Sequence, residues 1–308
     1  MHNVELLAPA RDLAELKANI ENGANAVYIG GEVFGMVSIN NLFSREELIE
    51  GIEFAHKNKS KVYVVVNILP HDDDFNQIEE YLKSLESLGV DAIVISDPGM
   101  LSIVKSTVPN MEIHLSDQAN TTNYISAKFW FEQGIKRVVV SRELSCDEIA
   151  QIRAKTPLEL DIEVFVHGVM TISYSGRPLL SNFIKGKNAQ KEISKKSYRL
   201  MEEKRPGEYF PVYEDEKGTF LFNSSDLCMI EYIPELIKSG ITSLKIEGRM
   251  KDAEYIKRVT KAYRVAIDKF YENPQEWKFN SVWLDELKEI SNRQFTSGFY
   301  LENPNDEI

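Results

Sequence analysis

Eight apolar runs, each ended by small or polar residues, set what this chain can fold into. They read VELLAP, NAVYIG, KVYVVVNI, DAIVIS, MEIHLS, KRVVVS, LDIEVFVHG and TSLKIEG, and begin near residues 4, 25, 61, 91, 111, 136, 160 and 242. Amphipathic stretches such as DLAELKANIENG, REELIEGIEFAHKN and DFNQIEEYLKSLESLG lie between them. Several stop on glycine (Gly23, Gly89, Gly134, Gly240), the residue that best accepts a left-handed helix cap. Near-continuous apolar strands alternating with helices mean a parallel sheet covered by helices, and eight such units are the number that closes into a barrel. An open doubly wound sheet shares the alternation. Its dinucleotide-binding form, however, wants GxGxxG after the first strand, where this chain has APARD. The expected fold is therefore α/β, a TIM-like (β/α)8 barrel.

The rhythm breaks once. Successive runs start 20 to 36 residues apart, but about eighty residues separate the seventh from the eighth. The spacing assigns 1–168 and 228–272 to the barrel, 169–227 to an insertion or lid on its C-terminal face, and 273–308 to a C-terminal extension. Long excursions on that face carry lids or partner-binding elements. From Arg177 to Arg205 this one holds nine Lys or Arg against three Glu, in a chain whose net charge is -12. Such a cluster, with Tyr198, Tyr209 and Phe210 nearby, suits phosphates, and Lys185, Lys187, Lys191, Lys195 and Lys196 are its expected RNA or partner contacts.

In a barrel of this kind the chemistry sits at the C-terminal ends of the strands. Those ends supply Asn67, His114, Ser116, Gln118, Arg142, His167, Glu247 and Arg249. His114, His167 and Glu247 are the candidate catalytic groups. Asn67, Ser116, Gln118, Arg142, Arg249 and, from the excursion, Arg177 are the candidate substrate-binding groups. Two arginines at one mouth suit a carboxylate, because guanidinium binds it through two parallel hydrogen bonds.

Composition excludes several classes. Hydrophobic residues make up 43% and charged residues 27%, as in globular proteins, and no run approaches the ~20 apolar residues of a membrane span. MHNVELLAPARD has no basic region followed by an apolar core, and Cys146 and Cys228 are too few for a disulfide framework. A cytoplasmic location is expected. Protease signatures are missing: GxSxG and HExxH do not occur, and the five histidines are scattered.

Taken in order from about Glu5 to Tyr300, ELLAPA, AVYIGG, SDPG, HLSDQAN, SREL, EVFVHG, YSGR, LLSN, EEKRPGEYFPV, DLC and LKIEGRMK resemble the peptidase U32 family, the collagenase-like proteases. The resemblance implies two functions: proteolysis, and oxygen insertion into RNA bases or quinone precursors. Well-studied relatives hold an iron–sulfur cluster on four cysteines. Two of those positions fall on Thr171 and Pro178 here, a third lies near Ser194, and only Cys228 remains. One thiolate cannot hold the cluster, so none is expected. Val37 stands where many relatives carry arginine. Short, cysteine-poor members similar to this chain occur beside a longer cysteine-bearing paralogue. The expected role is a subunit for prephenate-dependent hydroxylation of the tRNA wobble uridine to 5-hydroxyuridine, with tRNA and that paralogue as partners. A collagenase-like endopeptidase and a non-catalytic binding subunit are the alternatives.

Overall fold

The computed structural model describes residues 4–30, 43–175, 179–185, 196–201, 207, 209–215, 218–248 and 251–301. Seven parallel strands come first: β1 (Glu5–Ala10), β2 (Ala26–Gly30), β3 (Lys61–Val65), β4 (Ala92–Ile95), β5 (Glu112–Leu115), β6 (Arg137–Val139) and β7 (Asp161–Ser175). Each pairs with the next in sequence. After the excursion, which contains β8 (Lys196–Met201), β9 (Tyr209–Asp215) and β10 (Gly218–Cys228), strand β11 (Ser243–Ile246) inserts between β7 and β1. That pairing closes an eight-stranded parallel barrel, as the spacing predicts.

The helices between these strands are α1 (Leu13–Glu21), α2 (Arg45–Lys57), α3 (Ile78–Leu88), α4 (Pro98–Thr107), α5 (Tyr124–Glu132) and α6 (Cys146–Lys155). Short polar residues start several of them. Asp12, Asp97 and Asn123 each accept a backbone N–H of the first turn, and Ser44 and Ser145 form capping boxes with Glu47 and Glu148. The four expected glycines all take positive φ. Outward strand residues such as Leu6, Val27, Val64, Ile93, Ile162 and Leu244 join the helices in one buried layer. Within the excursion comes α7 (Leu179–Lys185), and after it α8 (Ile233–Lys238), α9 (Ala253–Glu272) and α10 (Ser281–Ile290).

The excursion grows out of the barrel wall. Strand β7 runs on past the rim and pairs antiparallel with β10, which pairs with β9, which pairs with β8. The chain end returns to the same place. Strand β12 (Phe295–Thr296) lies parallel to Asp226 and Leu227, and the Tyr300 hydroxyl donates to the Phe165 carbonyl at 2.6 Å.

Gly168 allows that continuation. It has φ +105, and a Cβ there would lie 2.2 Å from the carbonyl oxygen of Glu247. Gly168→Ala is expected to destabilise the fold by roughly 2–4 kcal/mol, the cost of the left-handed backbone plus that of overpacking. Gly134→Ala is the control, since Gly134 also has positive φ but nothing within 4 Å. Equal urea midpoints for the two variants would show that the close approach costs nothing.

Candidate functional site

A polar belt crosses the C-terminal ends of the strands. Ser96 Oγ donates to the Asn67 carbonyl at 3.2 Å, and Asn67 Nδ2 donates to Ser116 Oγ at 3.3 Å. Ser116 Oγ donates to Asp117 Oδ1 at 3.1 Å, and Asp117 Oδ2 accepts from Arg142 Nε at 3.1 Å. Arg142 then donates through Nη1 to the Val169 carbonyl, and the Val169 N–H donates to Glu247 Oε2 at 3.2 Å. The Gln118 N–H lies 3.5 Å from Ser116 Oγ in the same turn. Asn67, Ser116, Gln118, Arg142 and Glu247, all expected at the mouth, are thus gathered there. Asp117 was absent from that expectation, although it stands between Ser116 and Gln118 in the sequence.

Arg142 is the centre of the belt. Its guanidinium carbon lies 3.6 Å from the centroid of the Phe165 ring, and among the described residues only two of its five N–H donors are engaged. Lys245 Nζ lies 5.1 Å from the same ring and 4.6 Å from that of Tyr28. Two cations against one aromatic ring suit an anionic ligand that carries a planar or apolar part.

Below the belt the barrel interior is charged, where barrels usually hold branched aliphatics. Arg137 is buried and pairs with Glu5, with Glu163 at 3.1 Å and with Asp161 at 3.3 Å. Lys245 Nζ reaches Glu163 at 3.2 Å. Burial alone would raise the Glu163 carboxyl, but Lys245 and Arg137 outweigh it and hold that group at about 2. His114 belongs to this layer. Its Nε2 lies 2.9 Å from Glu112 Oε1, back along its own strand, and its ring meets Tyr63 edge-on. Burial, and secondarily Arg137, push its pKa down, so the imidazole is neutral.

His167 lies elsewhere, contrary to the expectation. In β7, Phe165 faces Lys245 but His167 faces Ile246, so one extra residue is accommodated between them. Such a bulge reverses the side on which the next side chain falls. His167 therefore leaves the barrel interior and packs against α9, with Nε2 2.8 Å from the Tyr255 hydroxyl and its ring against Tyr263 and Phe295. Burial there, aided by Lys251, lowers its pKa to about 3.

Arg177, Arg249, Lys187, Lys191 and Lys195 lie outside the described residues, while Lys185 ends α7 and Lys196 begins β8. An open cleft of about 680 Å³ lies beside Cys228, Lys288, Arg293 and Phe295, and no residue of the belt lines it. The cysteines do not suit a nucleophile. Burial raises the thiol of Cys228 to about 12 and that of Cys146 to about 11, so both are protonated at neutral pH. Among the described residues no group of three or more His, Cys, Asp or Glu could hold a metal ion, and no helix is long and apolar enough to cross a membrane.

The family model for peptidase family U32 matches residues 11–308. The chain is 38% identical over 306 residues to tRNA hydroxylation protein P1 of Bacillus subtilis, covering 98% of this chain and 72% of that protein. It is 35% identical over 308 residues to tRNA hydroxylation protein P2 of the same organism, covering 98% and 99%. Among solved structures, that of the U32 peptidase Mk0906 superposes with a TM-score of 0.51 at 14% identity, over 80% of this chain and 95% of that one, a likeness of fold alone. With its barrel, its motifs and its full-length match in agreement, this chain belongs to peptidase family U32.

Proposed function

We propose that the chain is a tRNA hydroxylation protein whose barrel mouth binds a small carboxylate-bearing substrate, prephenate. The observation that carries the reading is the Arg142 fork, stacked on Phe165 and aimed by Asp117, with two of its five donors engaged among the described residues. The site's own residues bind and orient. Arg142 and Lys245 supply positive charge, Phe165 and Tyr28 an aromatic wall, and Asn67 and Ser116 neutral hydrogen-bonding groups. Relatives named for tRNA hydroxylation support a tRNA substrate. The wobble uridine as target base and the cytoplasm as location are part of the proposal. A longer cysteine-bearing paralogue is the proposed partner. The family's cluster does not fit this chain, because Thr171 and Pro178 replace thiolates and Cys228 alone of the four remains. Among the described residues the endopeptidase reading finds no supporting thiol or His167 pairing, since neither thiol is ionised and His167 faces α9.

The test is a deletion strain complemented with variants, its tRNA digested and analysed by mass spectrometry for 5-hydroxyuridine. Arg142→Ala is expected to lower the modified fraction and to weaken prephenate binding roughly 10- to 100-fold, the scale of a lost charged hydrogen bond. Arg142→Lys, which keeps charge but loses the fork, should fall between. The purified protein is expected to hold no stoichiometric iron. Unchanged modification in Arg142→Ala would remove the mouth from the reaction, and four irons per chain would restore the cluster.

A further inference from the structure

The ribbon beyond the barrel rim carries a helix on a rigid mount. Strand β7 leaves the rim at Val169, which faces Asp226, and reaches Ser175, which faces Thr219. Six residues of strand span about 20 Å. At that distal end the buried carboxylate of Glu214 accepts the N–H groups of Leu180 and Ser181, at 2.8 and 2.9 Å, and the Thr219 hydroxyl at 2.7 Å. Thr219 Oγ1 in turn accepts the Leu179 N–H, and Ser181 Oγ lies 3.2 Å from the Tyr198 hydroxyl of β8. The first turn of α7 is therefore tied to three strands.

Among its described side chains, the large exposed ones are apolar. Phe183 is 90% exposed, and Leu179, one turn earlier on the same face, is 51% exposed. A lone exposed apolar side chain needs no explanation, but a held pair that includes a bare phenyl ring does. The charge of the sequence segment that carries it selects the occupant. Residues 177–205, which contain α7 and β8, carry a net charge of +6, while the remainder of the chain carries -18. A polyanion with flat apolar faces meets both features, and single-stranded RNA is such a polymer.

We infer that Phe183 is a stacking platform for an unpaired base of the substrate RNA, several nucleotides from the base that enters the barrel mouth. This rests on the tRNA reading above and deepens it. The phosphates of the same segment meet the basic residues of the arm and supply affinity without sequence information. The ring supplies preference for loops over duplexes, because a paired base offers no free face.

Fluorescence anisotropy of the full chain with a labelled anticodon stem–loop, and with a blunt duplex of equal length, tests this. Phe183→Ala is expected to weaken stem–loop binding about 5- to 150-fold, the range of one lost base stack. Phe183→Trp should restore it. The slope of affinity against salt should stay unchanged, since no phosphate contact is removed, and duplex binding should not move. Because the ring is exposed, the substitution should leave the melting temperature in place. Wild-type affinity in Phe183→Ala, or equal loss on loop and duplex, overturns the stacking role while leaving the tRNA reading intact. A change of oligomeric state with unaltered RNA binding assigns the patch to a protein interface instead. Failure of the wild type to bind the stem–loop overturns the tRNA reading and this inference with it.

Discussion

Arg137→Met is expected to be the most damaging single substitution in the barrel, costing at least about 3–5 kcal/mol of stability. Arg137 is the buried cation between Glu5, Glu163 and Asp161, and Ser243 shares the same oxygens. A carboxylate in water needs no partner, but one inside a barrel does, and the loss of Arg137 leaves Glu163 with Lys245 and Glu5 with the Tyr63 and Ser243 hydroxyls. Arg137→Lys should be intermediate, because an ammonium cannot fork across three acceptors. Arg137→Met combined with Glu163→Gln should recover part of the loss, since the uncompensated charge goes with its partner. Urea denaturation of the four proteins reads this directly. A single mutant within about 1 kcal/mol of wild type would show that water or local rearrangement satisfies the interior carboxylates.

Acid should unfold this protein early, and His167 should be a principal reason. Its folded-state pKa of about 3 lies below the ordinary 6.5, because burial between β7 and α9 and the charge of Lys251 oppose protonation. As pH falls below about 6.5 the unfolded chain takes up a proton that the folded chain refuses. Stability contributed by neutral His167 is complete above that pH and is lost as pH falls toward 3. The slope is about 1.4 kcal/mol per pH unit, or roughly 5 kcal/mol across the window. Glu163 adds a separate limb: its depressed pKa of about 2 means that its contribution is present above 4.5 and is lost between 4.5 and 2. His167→Gln, with an amide in place of the imidazole beside the Tyr255 hydroxyl, should flatten the stability profile between pH 6.5 and 3 by about that slope, while the Glu163 contribution between 4.5 and 2 stays in place. His114, also shifted down, should keep part of the upper slope in the variant. Identical profiles for the two proteins would mean that His167 titrates alike in the folded and unfolded chains.

Much of the architecture was legible because it is encoded locally. Each apolar run meets its own helix through nearby residues, and the caps at Asp12, Ser44 and Asp97 need only their first turn. Strand ends carry polar residues wherever they fall, so Asn67, Ser116, Gln118, Arg142 and Glu247 could be placed at one mouth without coordinates. Asp117 could have been added by the same reasoning, because it is flanked by two of them. The charged interior was also written in the strands, as Glu5, Arg137, Glu163 and Lys245 amid apolar neighbours. A reading that seeks hydrophobic runs passes over such residues, because each looks like an exposed edge until closure of the barrel brings all four together.

His167 shows the limit. Strict alternation from Glu163 and Phe165 would point it into the barrel, and nothing between residues 160 and 168 marks the extra residue. The bulge exists because β7 must pair with β11, about eighty positions later, on a ladder whose register is fixed by closure onto β1. Sequence by itself determined the eight strands, their order and the chemistry at their ends, since those follow from periodicity and local hydrogen bonding. Only the tertiary structure decided which side of the wall His167 takes and which charges share the interior, because both depend on pairing between residues that the chain keeps far apart.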